Sequence, residues 1–289
     1  MKPEGKSSGF LFIVSTPIGN LEDITLRALR VLKGVDLIAA EDTRRTRQLL
    51  THYGIHKPLV SYHEHNRRTR AESLIAEMRE GRNVALVTDA GTPGISDPGE
   101  HLVRRAIEES IPMIPVPGPS ALIAALSVSG LPTESFLFYG FLPSKATARK
   151  KLLLSLKERP ETLIFYESPK RLTAFLEEAA QILGDRQVVL AREMTKIYEE
   201  IYRGTAEELF QELGEGDVKG EVTVVIEGST RTARIESSSI AEMLEFYFRE
   251  MGLSMKEAVE RVAAELEVSK RNVYQESLRI KGKSAGGKG

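Results

Sequence analysis

Short apolar segments alternate with amphipathic segments from Phe10 to about Ser129, and this alternation constrains the fold more than any other feature. The apolar segments are brief and rich in β-branched residues, which is typical of strands, whereas the longer segments carry apolar residues at helical spacing. Such alternation predicts an α/β layer with a largely parallel sheet, and Asp23 is predicted to cap its first helix. The predicted strands are Phe10–Ser15, Leu37–Glu41, Pro58–Tyr62, Val84–Thr88 and Met113–Val116, and the predicted helices are Ile24–Lys33, Arg44–Tyr53, Arg67–Glu80, Gly99–Glu109 and Ala121–Ser129.

A second α/β unit is predicted from about Leu131 to Gly228, so that residues 1–130 and 131–228 form two successive domains. The pattern leaves the strand order of the second domain open, although its last two strands suggest an antiparallel edge. Its predicted strands are Ser135–Gly140, Thr162–Tyr166, Val188–Glu193, Ile201–Gly204 and Glu221–Glu227, and its predicted helices are Lys150–Lys157, Lys170–Leu183 and Ala206–Leu213.

The C-terminal part of the chain is predicted to be helical. Residues 229–239 are polar and rich in Ser and Thr, which favours a linker, and residues 240–281 form a small helical domain. Helices over Met255–Glu265 and Lys270–Arg279, joined by a tight turn with a Ser269 cap, resemble a helix-turn-helix. The alternative is an ordinary helical appendage with a solvated basic face. Residues 282–289 are of low complexity and are predicted to be disordered.

Composition excludes several classes of protein. The absence of cysteine excludes disulfides, thiolate zinc sites and a cysteine nucleophile, and the formal net charge of −1 excludes a global attraction to nucleic acid or anionic membranes. No apolar run approaches the roughly 20 residues of a membrane-spanning helix, and Met1–Gly9 lacks the apolar core of a signal peptide. We therefore expect a cytoplasmic protein that does not associate with membranes.

Three loops that follow predicted strands share an unusual composition. They are Ser15–Asn20, Asp89–Gly99 and Pro117–Ala121, and each contains glycine together with proline. Glycine permits close approach of the backbone to a ligand, and proline fixes the loop before the ligand arrives. Because ligands of α/β proteins bind outside the carboxyl ends of the strands, these loops predict a shaped pocket there. No G-x-G-x-x-G motif follows the first strand, so a dinucleotide fold is not supported.

Several segments resemble the tetrapyrrole methylase family. They are the first loop with Pro17 and Gly19, followed by Asn20–Thr25, and then Thr88–Gly99, Val116–Ala121, Ala191–Thr195 and Lys219–Val222. Ala40–Arg45, Tyr62–Asn66 and Phe165–Arg171 are similar to the branch of the family that methylates RNA of the small ribosomal subunit. The resemblance covers roughly Phe10 to Gly228. In the corphin and porphyrin C-methylases of this family the first loop usually ends in an acidic residue. Here the loop reads Pro17-Ile-Gly-Asn20 and ends in asparagine, which counts against a tetrapyrrole substrate.

The resemblance implies two α/β domains of the tetrapyrrole-methylase type with S-adenosyl-L-methionine bound in the cleft between them. The cofactor-binding residues that it implies are Pro17, Asp89, Gly91, Ile95, Ser96, Ser120 and Ala121 from the first domain, and Tyr166, Met194, Gly220 and Glu221 from the second. It also implies a homodimer.

The implied reaction is methylation of the 2′-oxygen of a cytidine in 16S ribosomal RNA. This displacement needs in-line geometry and removal of the hydroxyl proton. The candidate bases are Glu64, His65, Asp42 and Glu41, with Glu64 or His65 preferred. Alternatively, Glu41 and Asp42 cap the helix that begins near Arg44. Two histidines at i and i+2 also resemble metal ligands, but this methyl transfer requires no metal and none is expected.

Clusters of cations are candidates for contact with ribosomal RNA. Arg44 and Arg45 begin a predicted helix, where the helix dipole disfavours cations, so an anionic partner is expected there. The other candidates are Arg67, Arg68, Lys270 and Arg271, with a further group at Lys145, Arg149, Lys150 and Lys151. The alternative functions are C-methylation of a tetrapyrrole or cobalamin precursor, and a non-catalytic nucleic-acid-binding regulator built around the C-terminal helices.

Overall fold

The computed structural model describes residues 8–214, 218–229, 231–249, 251–266 and 268–285. The first half of the chain forms a five-stranded sheet in which every pairing is parallel, in the order β3-β2-β4-β1-β5. This confirms the predicted α/β layer. The strands are β1 (Leu11–Val14), β2 (Leu37–Ala40), β3 (Leu59–Ser61), β4 (Val84–Val87) and β5 (Met113–Val116), and the helices are α1 (Leu26–Gly34), α2 (Thr43–His52), α3 (Arg67–Arg79), α4 (Glu100–Glu108) and α5 (Ala121–Ser129).

Two helix starts differ in how they are capped. The side chain of Thr25 accepts a hydrogen bond from the Ala28 amide at 3.0 Å and so caps α1. The prediction that Asp23 caps this helix was wrong, because Asp23 lies in a short 3₁₀ turn that precedes it. Asp42 caps α2 by accepting a hydrogen bond from the Arg44 amide at 2.8 Å. A carboxylate at this position satisfies a free backbone donor and complements the helix dipole.

The second sheet is mixed and has the order β6-β7-β10-β8-β9. Strand β10 lies at its centre and runs antiparallel to both neighbours, while β9 forms an antiparallel edge. The expectation that the last two strands form an antiparallel edge is therefore correct for β9 but wrong for β10, which pairs with β7 and β8 at the centre of the sheet. The elements are β6 (Phe136–Phe141), β7 (Thr162–Glu167), β8 (Gln187–Arg192), β9 (Glu200–Thr205) and β10 (Val222–Ile226), with α6 (Ala146–Ser155), α7 (Pro169–Leu183) and α8 (Ala206–Leu213).

Helix α5 follows the last strand of the first sheet and packs against the second sheet. Its buried Leu122, Ala125 and Leu126 lie in one apolar cluster with Ile164 of β7 and Val225 of β10, while Ile123 and Val128 on its other side are exposed. Both sheets belong to one compact unit that comprises residues up to Leu154 and Thr162–Glu227.

A second compact unit contains Ser155–Glu161 and the chain from Gly228 onward. Its helices are α9 (Arg231–Arg249), α10 (Met255–Glu265) and α11 (Lys270–Ala285). They share a core that includes Leu244, Val262 and Val273. The Ser269 hydroxyl accepts a hydrogen bond from the Asn272 amide at 3.3 Å, in agreement with the predicted cap of the last helix.

Two predictions about this C-terminal part were wrong. Residues 231–239 were predicted as linker but form the first part of α9, because a helix nucleated by the packed Ile240–Tyr247 stripe extends readily through polar residues. Residues 282–285 were predicted to be disordered but continue α11, and residues 286–289 lie outside the described residues. Among the described residues, no helix combines the length and the apolar character needed to cross a membrane.

Candidate functional site

The three glycine- and proline-containing loops meet at the carboxyl edge of the first sheet. Thr16 and Gly91 form an antiparallel bridge, with amide-to-carbonyl distances of 2.9 and 3.1 Å. The hydroxyls of Ser15 and Thr92 lie 2.9 Å apart, and Thr92 also donates to the Pro119 carbonyl at 3.4 Å. Residues separated by up to a hundred positions in sequence are therefore fixed against one another before any ligand arrives.

A cavity of about 370 Å³ lies between these loops and the second sheet, and we call it the central cavity. Its walls are contributed by the loops after β1, β4 and β5 on one side and by β7, β8, β10 and the start of α7 on the other. A volume of this size fits a small organic ligand. The lining residues are Ile18, Ala90, Gly91, Thr92, Ile95, Ser96, Asp97, Ser120, Ala121, Phe141, Tyr166, Glu167, Ser168, Pro169, Ala191, Met194, Gly220, Glu221, Val222 and Thr223.

Most of the residues predicted to bind the cofactor line this cavity. Those from the first sheet are Gly91, Ile95, Ser96, Ser120 and Ala121, and those from the second are Tyr166, Met194, Gly220 and Glu221. Pro17 and Asp89 instead line an adjoining cavity of about 500 Å³, which we call the side cavity. The side cavity lies against α2 and shares Ile18, Ala90 and Glu221 with the central cavity.

Unusual backbone conformations concentrate around the central cavity. Ser96, Glu193 and Thr195 adopt positive φ angles of 63°, 50° and 68°, which side chains other than glycine rarely do. Such conformations cost about 1–3 kcal/mol each and persist where surrounding contacts hold them, most often at functional sites. One such contact is the hydrogen bond from the Asn20 amide to the Thr195 hydroxyl at 3.0 Å, which ties the first loop to the turn after β8.

Gly220 shapes the floor of the central cavity. Its φ is +92°, and a Cβ added there would lie 2.4 Å from side-chain atoms of Glu193. Glu193 is held in place by Lys196 at 2.7 Å and by the Glu221 amide at 2.9 Å. The backbone at Gly220 therefore approaches its neighbours in a way that only glycine permits.

The cavity offers hydrogen-bond donors as well as apolar walls. Helices α5 and α7 begin at its edge, at Ser120 and Ser168, and neither serine hydroxyl makes a capping hydrogen bond. These two hydroxyls can donate hydrogen bonds to polar groups of a ligand, and the helix dipoles favour a carboxylate there. Ile95, Met194 and the Tyr166 ring supply apolar and aromatic surface for a planar ring system.

One carboxylate in the central cavity stands out, and it was not among the predicted site residues. Burial raises the pKa of Asp97 to about 6, the nearby Glu41 and Asp89 carboxylates add to the shift, and a hydrogen bond with Thr88 opposes it. Among the described residues, no cation pairs with Asp97. In the sequence, Asp97 ends the Thr88–Asp97 segment that predicts a ligand-binding loop. Nothing in that segment distinguishes Asp97 from Asp89.

The residues predicted as catalytic bases line neither cavity. Glu41 accepts a hydrogen bond from the Thr88 hydroxyl at 2.7 Å. Asp42 caps α2 and pairs with Arg44 at 2.8 Å, and this guanidinium holds the pKa of Asp42 far below its usual range. The Glu64 carboxylate is 59% exposed and pairs with Arg67 at 3.0 Å, and His65 is also exposed. Within the described part of the chain, no group of three or more His, Asp and Glu side chains forms a set of metal ligands.

The predicted RNA-binding cations are on the surface. Arg44 and Arg45 are 85% and 68% exposed, and Arg45 lies 3.3 Å from Asp89 at the rim of the side cavity. Arg67 pairs with Glu64, Lys270 pairs with Glu260 at 3.3 Å, and Arg68 and Arg271 are exposed. Arg149 is different, because its side chain is buried and makes a bidentate pair with Glu178. The expectation that Arg149 belongs to an RNA-binding group was wrong.

Comparison with known proteins gives matches along most of the chain. The family model for tetrapyrrole (corrin/porphyrin) methylases matches residues 11–210. Proteins named ribosomal RNA small subunit methyltransferase I are similar to this chain. The relative from Halalkalibacterium halodurans is 49% identical, and the alignment covers 92% of this chain and 93% of that protein. The relative from Escherichia coli O157:H7 is 46% identical, and the alignment covers 96% of this chain and 97% of that protein. The relative from Thermotoga maritima is 50% identical over 220 residues, which are 76% of this chain and 99% of that protein.

Solved structures share the fold. Uroporphyrin-III C-methyltransferase from Thermus thermophilus superposes with a TM-score of 0.55 at 25% identity, covering 75% of this chain and 94% of that one. A cobalt precorrin-4 methyltransferase gives a TM-score of 0.58 at 18% identity, with the same coverage. The fold of this chain is thus shared with methyltransferases that have little sequence similarity to it.

Proposed function

Because the chain belongs to the tetrapyrrole methylase family, we propose that it transfers a methyl group from S-adenosylmethionine to the 2′-oxygen of a cytidine in 16S ribosomal RNA. The observation that carries the proposal is the central cavity, whose walls combine apolar surface with two serine hydroxyls that cap no helix amide, at the starts of α5 and α7. The chain is a methyltransferase, as its family and its relatives are.

Sequence identity favours RNA over a tetrapyrrole as the substrate. Relatives named for ribosomal RNA are 42–50% identical to the chain, whereas the structures that act on tetrapyrroles are 18–25% identical. Both cavities lie in the first compact unit. We therefore assign substrate selection mainly to that unit, with Lys270 and Arg271 adding contacts to RNA. We further propose that the protein forms a homodimer and acts in the cytoplasm on the small ribosomal subunit.

The residues of the central cavity fit the proposed cofactor. Ile95, Tyr166 and Met194 would contact its adenine, and the hydroxyls of Ser120 and Ser168 would donate hydrogen bonds to its carboxylate. When bound, S-adenosylmethionine supplies an electrophilic methyl group on a positively charged sulfur. Pro17 and Asp89, which line the side cavity, would approach the cofactor from the boundary between the two cavities.

Asp97 is the residue that we assign to removal of the ribose proton. It lines the central cavity, carries no cationic partner among the described residues, and has a pKa raised by burial to about 6. A base whose pKa lies near the working pH combines a large deprotonated fraction with useful proton affinity. A direct role of Glu64, His65, Asp42 or Glu41 stays a prediction, and comparison of Glu64→Gln with Asp97→Asn distinguishes the two assignments.

Methylation of isolated small subunits tests the proposed function. We expect the purified protein to transfer one labelled methyl group to 30S subunits that lack the modification, and nuclease digestion should recover the label as a 2′-O-methylated cytidine. Uroporphyrinogen III serves as the competing acceptor. Transfer to the tetrapyrrole, or no transfer to unmodified subunits, contradicts the proposal.

Replacing Gly220 by alanine tests whether the central cavity holds the cofactor. The added Cβ strains the backbone and displaces Glu193, so we expect affinity for S-adenosylmethionine to fall about tenfold, measured by calorimetry. Gly184→Ala is the matched control, because Gly184 has a φ of +78° but nothing within 4 Å of the new Cβ. Equal affinities of the two variants would show that the cofactor binds elsewhere.

A further inference from the structure

The side cavity has a lining that differs in character from that of the central cavity. Helix α2 contributes Arg45, Gln48, Leu49 and His52 to it. These positions follow the i, i+3, i+4, i+7 spacing of one helix face, so α2 presents a continuous strip of side chains to the cavity. The strip carries a cation at the N-terminal end, an amide and an apolar residue in the middle, and an imidazole at the other end.

The two cavities adjoin at small and apolar residues. Ile18 and Ala90 line both of them, and Glu221 does so from the second sheet. Thr88, which lies in the side cavity, is hydrogen-bonded to Glu41 and is also close to Asp97 in the central cavity. Thr88 therefore connects the side cavity to Asp97, and a ligand of the side cavity that extends past Ile18 and Ala90 would enter the central cavity, which Asp97 lines.

The chemistry of the side cavity suits a nucleotide. Its volume of about 500 Å³ lies in the range of sites for small molecules. Arg45 lies 3.3 Å from Asp89 at the rim, but its side chain is 68% exposed, so its remaining N–H groups can form charge-assisted hydrogen bonds with a phosphate. Arg44 is paired with Asp42 at 2.8 Å. The Gln48 amide can both donate to and accept from the edge of a base, and Ile18 and Leu49 offer apolar surface to its face.

We propose that the side cavity binds the acceptor nucleotide, with its phosphate at Arg45 and its base between Gln48 and the apolar residues Ile18 and Leu49. This inference rests on the proposed function, because it takes the occupant of the central cavity to be the methyl donor. The nucleotide's ribose then lies at the boundary near Ala90, and its 2′-hydroxyl faces Asp97. The C–S bond of the donor breaks as the O–C bond forms, and the hydroxyl proton passes to Asp97.

Filling the side cavity from an exposed helix position tests this assignment. Gln48→Trp places a large ring in the cavity, while Thr51→Trp places the same ring on α2 at an exposed position that lines neither cavity. We expect Gln48→Trp to lower kcat/KM for unmodified 30S subunits at least about tenfold, with an unchanged Kd for S-adenosylmethionine, as is typical of a loss confined to acceptor binding. Thr51→Trp should change neither quantity more than about twofold.

A direct binding measurement separates this inference from the proposed function. Saturation-transfer NMR with cytidine 5′-monophosphate, in the presence of S-adenosylhomocysteine, should show binding to the wild-type chain and to Thr51→Trp but not to Gln48→Trp. This result is expected even if 30S subunits prove to be the wrong acceptor. Loss of cofactor affinity in Gln48→Trp would instead assign the side cavity to the cofactor, and equal nucleotide binding by all three proteins would overturn the proposal.

Discussion

The Asp97→Asn variant is expected to lose about 10²- to 10⁴-fold in kcat for methylation of unmodified 30S subunits, the range typical of a missing general base. Asparagine keeps the size of the side chain but cannot accept the proton. The Kd for S-adenosylmethionine should stay within about threefold of wild type, because the lost function concerns the acceptor. Time courses of methyl transfer give kcat, and calorimetric titrations give the Kd for S-adenosylmethionine.

The pH dependence gives an independent test of Asp97. Because burial raises its pKa to about 6, kcat/KM of the wild-type enzyme should rise with pH through about 6 and then level off. Asp97→Asn should lack this inflection. Because the pKa of Asp97 is higher in the folded chain than in the unfolded chain, ionisation of Asp97 lowers the stability of the folded protein at pH 7.5. The asparagine variant carries no such charge and should be at least as stable as wild type at this pH.

The matched comparison is Glu64→Gln, which removes a carboxylate of the exposed pair with Arg67. If Asp97 is the base, Glu64→Gln keeps a kcat near that of wild type, and its kcat/KM still rises with pH through about 6. If Glu64→Gln abolishes kcat and Asp97→Asn does not, the preference for Glu64 that came from sequence is correct and the assignment to Asp97 fails. A large rise in cofactor Kd for Asp97→Asn would make Asp97 a cofactor ligand.

The Arg149→Met variant is expected to destabilise the fold by about 3–5 kcal/mol, the usual cost of leaving one partner of a buried ion pair alone. Arg149 and Glu178 are only 5% and 6% exposed, and two parallel hydrogen bonds of 2.6 and 2.8 Å join them. Removing the guanidinium leaves the Glu178 carboxylate in a site that water does not reach. Urea denaturation measures the change in the free energy of unfolding.

A double variant provides the control for this prediction. In Arg149→Met combined with Glu178→Leu, no uncompensated charge remains, so most of the lost stability should return. The exposed pair between Arg104 and Glu100 provides a second control, since its side chains are 64% and 72% exposed and Glu100→Ala should change stability little. A small effect of Arg149→Met would show that water or another group compensates Glu178.

The elements of the fold were largely predictable because their signals are local. Periodicity over ten to twenty residues placed the five strands of the first sheet and most helices, with differences of one or two residues at the ends. The exceptions were also local in origin. The Ser- and Thr-rich segment 231–239 has weak helical preference, and its helix is supported by the packed residues that follow it.

Contacts between distant segments were not predictable from the pattern of residues. Arg149 has the same local surroundings as neighbouring lysines, yet it is buried because Glu178, on another helix, lies opposite to it. The order of the second sheet, with its last strand at the centre, likewise depends on pairings between strands that are distant in sequence.

The sequence by itself determined the α/β class, the family and the presence of three glycine- and proline-containing loops after strands of the first sheet. It did so because glycine, proline and apolar spacing act within a single element or turn. Only the tertiary structure separated the central cavity from the side cavity, and only the tertiary structure distinguished Asp97 from the other acids. The pKa of a carboxylate depends on burial and on nearby charges, here those of Glu41 on another segment and Asp89 in the same loop, and these distances exist only after the chain has packed.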